Sequence, residues 1–262
     1  LPWSRNGMLV GDYWIRKVRR EIVAMKRLLR GWVRWILILV LLLVGMALFF
    51  HRTISHIMMT YTTDRYQVSN VSRENIEQNE KSKGNFDFSQ VAVVSTQDVL
   101  AAQMSGQKLN VIGGIAIPDL EMNLPVFKGI DNTNLLYGAG TMKENQTMGE
   151  GNYALASHHV FDQVNSDHLL FSPLERAEVG QKVYLTDKAY IYTYTITSKE
   201  VVAPTDVEVI EDVPDKTLLT LVTCDDLQAS NRLIVQTTYD GKTPYDQAPS
   251  KVQKAFTKSY TQ

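Results

Sequence analysis

The 262-residue chain predicts a mostly β domain, a sandwich or closed barrel with short helices, preceded by one N-terminal transmembrane helix. Two observations carry the β assignment. From Val111 onward, short stretches rich in β-branched and aliphatic residues recur between Gly, Pro and Asp turns, the pattern of paired strands rather than of alternating strand and helix. No internal repeat and no phosphate-binding glycine loop interrupts them; Gly138-Ala-Gly is isolated, and Gly113-Gly114 lies inside a strand-like run where a bulge is expected. The third observation is an unbroken apolar run from Trp35 to Phe50, which with its apolar flanks approaches the roughly 20 residues that cross a bilayer as a helix.

Taken in order, residues 1–34 read as a cytoplasmic basic N-terminus, with Arg16, Lys17, Arg19, Arg20, Lys26, Arg27, Arg30 and Arg34 ahead of the apolar run. Met25-Lys-Arg-Leu-Leu-Arg would serve as an ordinary start for such a segment, and the odd composition of residues 1–24 is compatible with an over-extended reading frame. Residues 35–54 are expected to be an uncleaved signal anchor. The run is long for a signal-peptide core, and His51-Arg52-Thr53 is a poor cleavage site. The polar, broken stretch 55–92 reads as an extracellular stalk, partly helical at most. A domain over 93–262 follows, opening with a short helix capped by Ser95 or Thr96. Strands are expected at Val111–Ile117, Leu124–Phe127, Asn152–Val160, Lys182–Thr186, Ala189–Val202, Thr217–Thr223 and Leu233–Tyr239.

Charge separates the two sides of the membrane. Residues 1–34 hold 9 Lys and Arg against 2 Asp and Glu, leaving the rest of the chain at 18 against 26, a net charge of −8. An acidic outer domain argues against nucleic acid as a partner. One cysteine excludes an internal disulfide and a cysteine-based zinc site, and in an exported protein a leftover thiol more often acts than staples.

That cysteine, Cys224, ends the strand Thr217–Thr223 beside the acidic turn Asp225-Asp226, and Arg232 opens the returning strand. Antiparallel pairing can bring thiol and guanidinium to the same end of the sheet. A buried structural cysteine is the competing interpretation. Of the five histidines, the informative pair lies in Asn152-Tyr-Ala-Leu-Ala-Ser-His-His-Val-Phe. Alternation along a strand puts Ala154, Ala156 and His158 on one face, and Tyr153, Leu155, Ser157 and His159 on the other. The small neighbours of His158 leave room for a ligand, so His158 is the catalytic candidate and His159 a supporting one. A thiol, an imidazole and a guanidinium together suit acyl transfer.

Thr220-Leu-Val-Thr-Cys224 followed by Arg232, together with Ala156-Ser-His-His159, resembles the signature of the sortases, and the similarity runs from about Val111 to Tyr239. It includes Ile115-Ala-Ile-Pro-Asp, Leu124-Pro-Val-Phe-Lys-Gly, Tyr137-Gly-Ala-Gly-Thr-Met and Leu170-Phe-Ser-Pro-Leu, and looks most like a class A (housekeeping) sortase of the streptococcal type. The resemblance implies an eight-stranded sortase β-barrel and a membrane-anchored cysteine transpeptidase. Such an enzyme cleaves Leu-Pro-x-Thr-Gly sorting signals of surface proteins between Thr and Gly, and passes the thioester to an amine of the peptidoglycan precursor lipid II. It further implies Cys224 as nucleophile, His158 as general acid and base, and Arg232 as substrate and oxyanion ligand. Thr223, Ala156, Val207, Val209 and Ile210, with His159 in support, are the implied substrate-binding residues. A noncatalytic membrane-tethered binding domain and a hydrolytic cysteine protease are the alternatives. No lid segment, the mark of pilin-polymerising relatives, is evident before Val111.

Some class A sortases hold an activating calcium ion between the loop before the histidine strand and the loop before the cysteine strand. Here the first loop carries Lys143 and Gln146 where such members carry acids, while Glu211 and Asp212 remain in the second. A lysine paired with one of those carboxylates would tie the loops without metal. No cofactor is expected, calcium included.

Overall fold

In the computed structural model, residues 7–88, 101–102, 108–161, 166–226 and 228–260 are described. The chain divides into two units, one ending at His51 and the other beginning at Arg52. The first is a helix, α1 (Gly7–Phe49), whose stretch Gly31–Phe49 has mean hydropathy 2.5 over 19 residues and is long and apolar enough to cross a membrane.

Eight strands build the second unit: β1 (Val111–Ile117), β2 (Met122–Phe127), β3 (Ala139–Thr141), β4 (Asn152–Ala156), β5 (Lys182–Thr186), β6 (Tyr190–Val202), β7 (Leu218–Cys224) and β8 (Arg232–Pro244). They close into a barrel in the order β1-β2-β3-β4-β7-β8-β6-β5. Most contacts between neighbouring strands are antiparallel, but β2–β3 and β4–β7 are parallel. The alternation expected of β7 holds. Leu219 and Leu221 join Leu155, Leu233 and Val235 in the main core, whereas Val222 joins Ala154 and Ile234 in a separate apolar patch on the other face of the sheet.

β1 is buried along its whole length because its outer face is covered. The register of β1 against β2 shifts between Val111 and Gly113, the bulge expected at the glycine pair. A Cβ on Gly114 would lie 2.6 Å from Val68, so only glycine lets the covering segment approach this closely.

That covering segment corrects the expected stalk. Through residue 88, the stretch 55–92 is part of the barrel unit: α2 (His51–Arg65) and α3 (Arg73–Glu80) pack on it, burying Met59, Val68 and Ile76. Gln67 donates to Asn123 O at 2.8 Å, and Asn79 donates to Val111 O at 2.9 Å. A few well-spaced apolar residues and paired backbone groups suffice when a strand face is waiting to be covered. The helix expected at Ser95 lies outside the described residues except for 101 and 102, which are helical.

Candidate active site

β4 and β7 run parallel with Ala156 opposite Val222. The pairing continues one step, with Ser157 N–H donating to Val222 O at 3.2 Å and Thr223 Oγ1 donating to Ser157 O at 2.8 Å. One further step along both chains brings His158 level with Cys224. On the other side of β7, Cys224 pairs with Arg232 of β8. Strand register alone therefore gathers imidazole, thiol and guanidinium at one end of the barrel.

All three line one cleft of about 400 Å³, together with Thr223, Ala156, Val207, Val209 and Ile210. Its floor is the apolar patch of Val222, Ile234 and Ile210, with Ala156 and Val209 packed against it. One wall is the 3-10 turn Val207–Ile210. Asn152 pins that wall: its Nδ2 donates to Val209 O and Glu211 O, each at 3.0 Å, and Thr220 Oγ1 donates to Asn152 Oδ1 at 2.8 Å. Asn152 was not singled out from the sequence; a polar residue opening a strand beside a hydroxyl one strand away is the only signal it offers. Phe88 also lines the cleft and was hidden in the supposed stalk.

His158 is 5% exposed and Cys224 half-buried. Burial pushes the Cys224 thiol above its usual range; Arg232 opposes that shift and Asp226 adds to it. Arg232 is steadied by its own turn, Nη1 donating to Ala229 O at 2.8 Å and Asn231 O at 3.0 Å. His159, by contrast, does not line the cleft. Its Nδ1 donates to the backbone carbonyl of Cys224 at 3.0 Å, so it touches Cys224 through the main chain from outside the cleft.

The two loops flanking the site are joined by Lys143, whose Nζ lies 2.6 Å from Asp212 Oδ1. Asn152 N–H donates to the same oxygen at 2.8 Å. Lys143 first, then Asn152, holds the Asp212 carboxyl below its ordinary range. The link is therefore intact at neutral pH and fails only as pH falls through that depressed value. Gln146 is engaged elsewhere, donating to Ala154 O and accepting from Ala154 N–H. Among the described residues no group of three His, Cys, Asp or Glu side chains could hold a metal ion.

A half-buried thiol in one cleft with a histidine and an arginine, at the end of a closed barrel, is an arrangement suited to acyl transfer through cysteine. The sortase domain family matches residues 115–240. The chain is 52% identical to Sortase A of Streptococcus agalactiae over 88% of its own length and 94% of that protein. It is 36% identical to Sortase A of Listeria monocytogenes over 71% of its length and 82% of that protein. The solved structure of Listeria monocytogenes sortase A superposes with a TM-score of 0.51 at 35% identity, covering 56% of this chain and 98% of that one. The chain belongs to the sortase family, and the identity to these proteins supports class A. It is a sortase enzyme, a transpeptidase.

Proposed function

We propose that this sortase cleaves Leu-Pro-x-Thr-Gly signals between Thr and Gly and joins the upstream protein to an amine of a peptidoglycan precursor such as lipid II. The observation that carries this reading is the cleft in which Cys224, His158 and Arg232 meet an apolar floor, which suits an uncharged Leu-Pro pair next to polar reacting groups. Cys224 Sγ gives its proton to His158 and attacks the Thr carbonyl carbon. The C–N bond breaks, His158 protonates the departing glycine amine, and a thioester remains. The acceptor amine attacks that carbonyl, its proton passes to His158, and the C–S bond breaks to restore the thiol. Arg232 stabilises the oxyanion of both tetrahedral steps or holds the peptide backbone. Ala156, Val207, Val209 and Ile210 receive the apolar part of the signal, and Thr223 helps position it.

In the cell the apolar stretch Gly31–Phe49 would anchor the enzyme as a single pass, with the basic N-terminus cytoplasmic and the barrel outside. A labelled Leu-Pro-x-Thr-Gly peptide, incubated with and without an amine acceptor, tests the reaction. Joined product with the amine is expected; hydrolysis unaffected by the amine would make the enzyme a protease.

Arg232→Lys is expected to be severely impaired although the charge is kept, because a planar fork donates two parallel hydrogen bonds and an ammonium acts as a point charge. Steady-state kinetics on the same peptide decide this. Near-parental kcat/KM would reduce Arg232 to a general electrostatic role.

Activity is also expected to be independent of calcium, a reading supported by the Lys143–Asp212 pair and by the engagement of Gln146 with β4. Rates in chelator and in millimolar calcium should agree; a several-fold rise with calcium would overturn the idea that lysine replaces the ion.

A further inference from the structure

Beyond Ser157 the backbone of β4 leaves β7. Phe171 N–H donates to His158 O at 3.1 Å, Val160 N–H donates to Ser172 Oγ at 2.9 Å, and His159 bridges to Leu170. In a parallel ladder, donors from one strand recur every second residue. After the bond from Ser157 N–H to Val222 O, the next rung would run from His159 N–H to Cys224 O. The His159 ring reaches that carbonyl instead, through Nδ1 at 3.0 Å. A carbonyl only accepts, so the proton on that side of the ring belongs to Nδ1. The rung between them is also made by a side chain, Thr223 Oγ1 to Ser157 O.

A side-chain rung spans more distance than a backbone one. It lets the two strands diverge at the level of His158 and Cys224 while keeping them tied. The ring itself is held from two sides. Phe161 stacks on it with centroids 4.0 Å apart and planes 17° from parallel, and the Glu175 carboxylate lies 3.5 Å from Nε2. The residue is 9% exposed, and it stands outside the lining of the cleft. We propose that His159 is a positioning residue that sets the separation of His158 and Cys224 by fixing the Cys224 carbonyl, without itself touching substrate. This rests on the assignment of Cys224 and His158 as the reacting pair.

The test compares His159→Phe, which keeps a stacking ring but has no donor, with His159→Asn, whose amide nitrogen falls near the position of Nδ1. In the full-length enzyme, His159→Phe should lose about tenfold in kcat, the scale of one hydrogen bond, with KM within about twofold. Its rate of Cys224 alkylation by iodoacetamide should change as well. His159→Asn should recover most of the loss. Parental kcat in His159→Phe, a loss confined to KM, or an Asn variant as poor as Phe would overturn the proposal. Should His159→Phe fail to fold, His159→Gln, whose amide nitrogen falls near Nε2 instead of Nδ1, supplies the variant without the bond, and its kcat against that of His159→Asn at equal melting temperature decides. Cys224→Ala run alongside separates the two levels: an active alanine variant would sink the reacting pair, not only the role of His159.

Discussion

Replacing Cys224 by alanine is expected to lower transpeptidation by about 10⁴- to 10⁶-fold, the loss seen when the nucleophile of a comparable catalytic triad is removed. The fold should survive. Cys224 is half-buried at the end of β7, and the bonds that seat this strand end do not use its sulfur. They are the register with Arg232, the Thr223 hydroxyl on Ser157 and the His159 ring on the Cys224 carbonyl. An unchanged circular dichroism spectrum and melting temperature, beside an empty peptide-joining assay, is the predicted pair of results. More than a few per cent of parental rate from a folded variant would mean that another group attacks the peptide.

The second large effect belongs to His158. Its removal as alanine should cost about 10² to 10⁴ in rate, the usual range for general acid–base assistance. The reason is specific to this site. Burial raises the thiol above its ordinary range, and a histidine in the same cleft is placed to take its proton during attack. His158 lies two residues past the Ala156–Val222 pair of β4 and β7, and it lines the same cleft as Cys224. His159→Ala should be far milder, because that ring supports the Cys224 carbonyl from outside the cleft. Rates measured for both variants on one peptide decide the matter; equal losses would mean that the roles of the two histidines have been divided wrongly.

The strong signals in the sequence were those with a period. Seven expected strands rest on β-branched alternation, and the face assignment of β7 followed from counting by twos. The missing strand, β3, is three residues, Ala139–Thr141, too short and too rich in glycine for alternation to register. The helical cover over β1 was unreadable for another reason. Its apolar residues are sparse among polar ones, and what lets Val68 pack as core is Gly114, on a strand distant in sequence. The ion pair between Lys143 and Asp212 could be anticipated because opposite charges occupied two loops known to meet if the resemblance held. The bond of His159 to Cys224 could not, since it depends on the chain turning away after Ser157 to meet residues 170–172, a pairing that no local pattern announces.

The most direct test of the central claim is the intact mass of the enzyme after exposure to a Leu-Pro-x-Thr-Gly peptide without acceptor. The claim predicts a covalent adduct on the tryptic peptide containing Cys224, with the mass of the substrate through Thr, the glycine fragment released, and its disappearance on addition of amine. An adduct retaining the glycine, an adduct on another residue, or continued turnover with Cys224 never modified would contradict it.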